Sequence, residues 1–126
     1  MRVRIKPLDK LFSHFIRLRA METNHGCERC GAWKADYKWL QCSHFFGRAK
    51  KSVRFDEENA AGLCFGCHQY FTSHPLEHTE WFKERLGDRF DLLVVRANTV
   101  NKPDEDLIGL YLKGKIKELE NWPHYG

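Results

Sequence analysis

Residues 63–74 read LCFGCHQYFTSH, and their interpretation decides the fold. Cys64, Cys67, His68 and His74 fall within eleven positions. The stretch serves one metal, or two, or it is a short apolar segment with incidental histidines. Upstream, Cys27 and Cys30 repeat the C-x2-C spacing, and Gly26 and Gly31 bracket them as a tight knuckle requires. Each pair can deliver two thiolates to one ion, and two pairs complete the four tetrahedral ligands that zinc prefers. Thirty-three residues separate Cys30 from Cys64, room for a hairpin and a loop. Cys27, Cys30, Cys64 and Cys67 are therefore expected to hold a structural Zn²⁺, a closed site that does no chemistry of its own. Cys42 is left over.

The chain of 126 residues suits one compact domain, spanning 1–126. Apolar residues make up 42% and aromatics 13%, enough for a core, while 30% charged residues of mixed sign argue against disorder. The net charge of +4 fits an anionic partner without demanding one. There is no apolar run long enough for a transmembrane helix, and MRVRIKPLDKLF lacks the continuous apolar segment of a signal peptide. No membrane contact is expected. Paired cysteines without a secretion signal point to a reducing cytoplasm.

Leu8, Leu11, Phe12, Phe15, Ile16 and Met21 recur at helical spacing and predict a helix over 7–21, with Pro7 tolerated at its start. The short aromatic segment 37–42, YKWLQC, predicts a strand. A long basic loop follows, then a second strand, AAGLC, leading into the second knuckle. A helix should start at that knuckle and stop before Pro75. Three more helices are expected, over 75–87, 88–97 and 102–120, and a frayed tail, NWPHYG. The division is an N-terminal helix, a core over about 24–74 and a helical part over about 75–120.

Between the cysteine pairs His44, Asn59 and His68 follow one another at separations of 15 and 9 positions. With CERC, SHFFGR and NAAGLCFGCH in the order strand, loop, strand, knuckle, helix, the chain resembles the HNH nuclease superfamily, whose ββα-metal core often carries a zinc held by four cysteines. More narrowly, LDKLFSHFIRLR, LQCSHFFGR, VRFDEENAAGLCFGC and ERLG resemble the phage NinG/Rap recombination family. This second resemblance spans roughly residues 8 to 90. The fold implied is α+β, a small treble-clef ββα core wrapped by helices. The function implied is metal-dependent endonucleolytic cutting of DNA, on branched recombination intermediates such as Holliday junctions or D-loops.

The same resemblance implies residue roles. A neutral imidazole accepts a proton from water near physiological pH, and His44 is the expected base. The amide of Asn59 cannot act as acid or base but can fix the loop and so orient His44. His68 is the expected ligand of a catalytic Mg²⁺ or Mn²⁺, with His74 as a second candidate. Two positions depart from the family pattern. Ser43 stands where a metal-binding Asp or His is usual, and Thr72 where a further ligand is frequent. Asp56, Glu57 or Glu58 could supply an oxygen from the loop, and Cys42 is either an unusual ligand or merely buried.

The loop GRAKKSVR places Arg48, Lys50, Lys51 and Arg54 beside His44, where they are expected to meet the DNA backbone. Two alternatives stay open: a non-catalytic zinc-stabilised DNA-binding module, motivated by Ser43 and Thr72, and a zinc-stabilised interaction adaptor. A homodimer would suit a two-fold symmetric junction.

Overall fold

A computed structural model describes residues 3–121. The architecture is α+β: helix α1 (Pro7–Asn24), strands β1 (Gln41–His44) and β2 (Ala60–Leu63), then α2 (Phe65–Ser73), α3 (Pro75–Leu86), α4 (Arg89–Ala97) and α5 (Glu105–Glu120). The expected tail lies outside the described residues beyond Asn121.

Helix α1 begins at Pro7, where the missing N–H costs nothing. Asp9 reaches back to accept the Lys6 N–H at 2.7 Å. The helix runs three residues past its expected end, until His25 turns left-handed at φ 52° and donates its N–H to the Met21 carbonyl. Its buried stripe of Phe12, Phe15, Ile16 and Ala20 packs with Leu112 and Ile116 of α5 and with Ala60 and Ala61 of β2. At Gly62 the approach leaves no room for a side chain, since a Cβ there would stand 2.7 Å from that of Ala20.

The two strands pair antiparallel, with Gln41 opposite Leu63, Cys42 opposite Gly62, Ser43 opposite Ala61 and His44 opposite Ala60. Alternation along each strand divides the hairpin's two faces. Cys42 and Ala60 join the α1–α5 cluster. Ala61 and Leu63 join the second cluster, with Cys67 and Phe71 of α2, Phe82 of α3 and Leu93 of α4. The hairpin is thus the partition between two apolar cores.

The first strand differs from expectation. Tyr37–Trp39 form a 3-10 turn, because the Asp36 carboxylate accepts the Lys38 N–H and caps it. Pairing begins only at Gln41. The expected long loop is shaped by two further 3-10 turns, Lys51–Val53 and Glu57–Asn59. Helix α5 runs through Gly109 and Gly114 without a break, held by the burial of Leu112 and Ile116. Among the described residues no helix is long and apolar enough to cross a membrane.

Candidate metal centre and histidine–asparagine site

The four paired cysteines come together, their sulfurs all within 4.8 Å of one another. The set can hold a metal ion such as zinc. With Zn–S bonds of about 2.3 Å, tetrahedral geometry separates neighbouring sulfurs by about 3.8 Å. Cys30 Sγ and Cys64 Sγ stand 3.8 Å apart, far beyond a disulfide bond. Each pair is wound as a knuckle. The Cys30 N–H points at Cys27 Sγ (3.5 Å), the Ala32 N–H at Cys30 Sγ (3.4 Å) and the Cys67 N–H at Cys64 Sγ (3.4 Å). Gly31 takes φ 74°, and a Cβ on Gly26 would strike the Ala32 carbonyl oxygen.

The surroundings act unequally on these thiols: burial pushes Cys30 up and Cys67 up to about 12. Burial disfavours the Cys27 thiolate, yet backbone donors at Cys30, Cys64 and Arg29 outweigh it and draw the thiol down to about 7. The Arg29 guanidinium meets Cys67 Sγ at 3.4 Å and lies over the Tyr70 and Phe71 rings. Glu28, between the first two cysteines, joins the knuckle to the sheet. Its N–H donates to the Gly62 carbonyl (2.9 Å) and its carboxylate accepts the Gly62 N–H (3.0 Å). Arg19 and Arg85 close on the same carboxylate from α1 and α3.

Asn59 is wholly buried. Its Oδ1 accepts the Phe46 N–H at 2.8 Å, and its Nδ2 donates to the carbonyls of Phe46 (2.8 Å) and Val53 (3.1 Å). Its own carbonyl accepts the Phe45 N–H at 2.8 Å. One carboxamide therefore ties the chain directly after His44 to the far side of the basic loop.

His44 stands at the end of β1, with its ring 5.7 Å from that of Phe12. Its Nε2 is buried and has no hydrogen-bond partner among the described residues. Burial, then the charge of Arg48, push the imidazole down to about 4, while the Asp9 carboxylate and the Arg54 backbone act the other way. His44 is neutral at physiological pH. Cys42, also on the α1 side, is a packed thiol that burial pushes up to about 12.

The basic loop separates into two kinds of residue. Arg54 is buried, with Nε on Asp9 Oδ1 (2.9 Å) and Nη2 on Asp9 Oδ2 (2.6 Å). Its guanidinium closes the loop onto α1 and is not free for phosphate, contrary to the sequence expectation. Arg48 keeps a looser approach to Asp9, 3.5 Å, and its Nε has no hydrogen-bond partner among the described residues. Lys50 and Lys51 are exposed and line a cleft of about 570 Å³ that Lys102 also borders.

His68 lies in the first half of α2, half-buried. Of the two departures noted in the sequence, Ser43 is buried within β1 and Thr72 is taken up by its own helix. The Thr72 hydroxyl donates to the His68 carbonyl at 2.9 Å, and so turns back onto its own helix. The three loop acids are engaged elsewhere, Asp56 and Glu58 with Arg96 and Glu57 with Tyr111. His74 is exposed and stacked on Tyr70 at 4.0 Å, with Nδ1 2.8 Å from the Tyr70 carbonyl oxygen. Sequence reasoning missed Asp9 and Glu28. Asp9 carried a signal as an acid in the first turn of a helix, but nothing in the spacing ties it to a loop forty-five residues away.

No family model, no curated protein and no solved structure matches this chain.

Proposed function

We propose that the chain is a metal-dependent DNA endonuclease of the HNH type, with a treble-clef ββα core closed by a structural Zn²⁺ on Cys27, Cys30, Cys64 and Cys67. The observation that carries this reading is the position of Asn59 directly before Ala60, the strand partner of His44. A buried carboxamide fixes both sides of the loop, and beside it a neutral imidazole keeps an unused nitrogen. Such an arrangement suits proton transfer better than packing alone, since an orphaned nitrogen costs stability.

In the reaction, Nε2 of His44 takes the proton from an attacking water. The water oxygen bonds to phosphorus as the P–O3′ bond breaks and its electron pair leaves with the 3′-oxygen. Asn59 holds the base in place. Arg48 meets the phosphate charge beside His44, while Lys50, Lys51 and Lys102 bind the flanking backbone without reading sequence. His68 would hold the divalent ion, which would supply charge stabilisation at the phosphate and the leaving oxygen. The substrate is DNA, and a branched recombination intermediate suits the proposal, as does a two-fold dimer.

The second reading is a DNA-binding module that kept the scaffold. The engagement of Thr72 and of the three loop acids favours it. Incubation with supercoiled plasmid and with a four-way junction, in Mg²⁺ or Mn²⁺, separates the two. Nicking in either ion supports the nuclease, whereas tight binding without cutting in both supports the module.

A further inference from the structure

Helix α5 turns Leu112 and Ile116 inward onto α1. Its outward face is apolar as well. Leu107 and Leu110 are 63% and 69% exposed, and Tyr111 is 47% exposed. With Gly114 they fall at i, i+3, i+4 and i+7, one stripe along the helix. Glycine weakens a helix interior, and a turn, a positive φ or a close approach is what calls for it. Gly114 meets none of these needs among the described residues. It lies inside α5, its φ is not positive, and a Cβ there would meet nothing within 4 Å.

The apolar surface continues onto α1, where Leu110 edges a cleft of about 450 Å³ walled by Pro7, Leu8 and Leu11. Charges line one flank of the stripe. Asp106, Lys113 and Lys117 stand at i, i+7 and i+11, and so on the same side of the helix. Among the described residues none of the three joins an ion pair, whereas Lys115 reaches Glu118 at 3.6 Å. Lys113 lies two turns before the end of α5, too far in for the helix dipole to favour it.

We propose that this face binds a second copy of the chain, the two α5 helices lying antiparallel across a two-fold axis beside Leu110 and Tyr111. In such a pair the same flank of each helix faces the other. The residue spacing then sets Leu107 of each copy against Gly114 of the other, where the missing side chain leaves room. Asp106 of each copy falls between Lys113 and Lys117 of the other. Laid parallel, the helices would bring the lysines of one copy level with those of the other, so the charges select the antiparallel pair. The pairing goes beyond the nuclease reading and does not depend on it.

The test is sedimentation of the full chain, loaded with Zn²⁺ and free of DNA, over a range of concentrations. A single helix pair makes a small interface, so a reversible monomer–dimer equilibrium is expected. Leu110→Glu should raise the dissociation constant at least about ten-fold with an unchanged circular dichroism spectrum, since the side chain is exposed in one copy. Gly114→Gln should weaken the dimer too, yet raise the thermal midpoint of the dilute monomer. Asp106→Lys in one chain, and Lys113→Glu with Lys117→Glu in another, should each leave a monomer, and an equimolar mixture of the two should recover the dimer. A monomer at every concentration, a dimer that Leu110→Glu or Gly114→Gln leaves intact, or a charge-reversed mixture that fails to associate overturns the pairing. Because no DNA is present, none of these outcomes touches the nuclease reading.

Discussion

At Asp9 two hydrogen-bonding partners and one further cation converge on a buried carboxylate: the Lys6 N–H, Arg54 through two nitrogens, and Arg48 as an ion pair at 3.5 Å. Burial alone would favour the neutral acid, but these partners hold the carboxyl below its ordinary range. Removing the charge leaves Arg54 buried without a counter-ion, a loss of about 3–5 kcal/mol. Asp9→Asn should therefore lower the urea midpoint strongly, and adding Arg54→Met should restore much of it. His44 is the other residue whose surroundings fix its behaviour. Its imidazole should titrate at about 4 in an NMR series. Arg48→Gln should move that midpoint upward, because the Arg48 charge disfavours the imidazolium. A midpoint unmoved by the substitution would place Arg48 away from the His44 ring.

At the scale of elements, the site depends on how α1 and the loop meet the hairpin. Gly62→Ala puts a Cβ against Ala20, and should destabilise by about 1–3 kcal/mol as α1 is pushed from β2. Asn59→Ala strands the Phe46 N–H and the carbonyls of Phe46 and Val53. Hydrogen exchange at the Phe46 amide should then rise sharply while α5 stays protected. The helices were legible because their apolar spacing and terminal prolines are local signals. The start of strand β1 was less so, since Tyr37–Trp39 look like strand until Asp36 caps the turn. Asp9, Glu28 and Arg54 act across long separations, and no local pattern reports a contact of that kind. Arg54 shows the limit plainly: one arginine in a basic run is indistinguishable from its neighbours until α1 presents a carboxylate to it.

For the whole molecule, a metal ion on the four sulfurs would tie together segments that the apolar cores join only in part. Cys27 and Cys30 follow α1, while Cys64 and Cys67 join β2 to α2. Zinc in such sites contributes roughly 10–16 kcal/mol of apparent binding energy at neutral pH, comparable to the stability of a small domain. Chelation should thus lower the thermal midpoint by tens of degrees, read by circular dichroism, and Cys27→Ala should lower it likewise. The central claim, that His44 serves as the base of a DNA endonuclease, is reached most directly by one comparison. Single-turnover cutting of a labelled four-way junction is measured in Mn²⁺ for the wild type and for His44→Ala, alongside junction affinity. The account predicts a loss of about 10²–10⁴ in rate at nearly unchanged affinity. Equal rates for the two proteins, or no cutting by either, would contradict it.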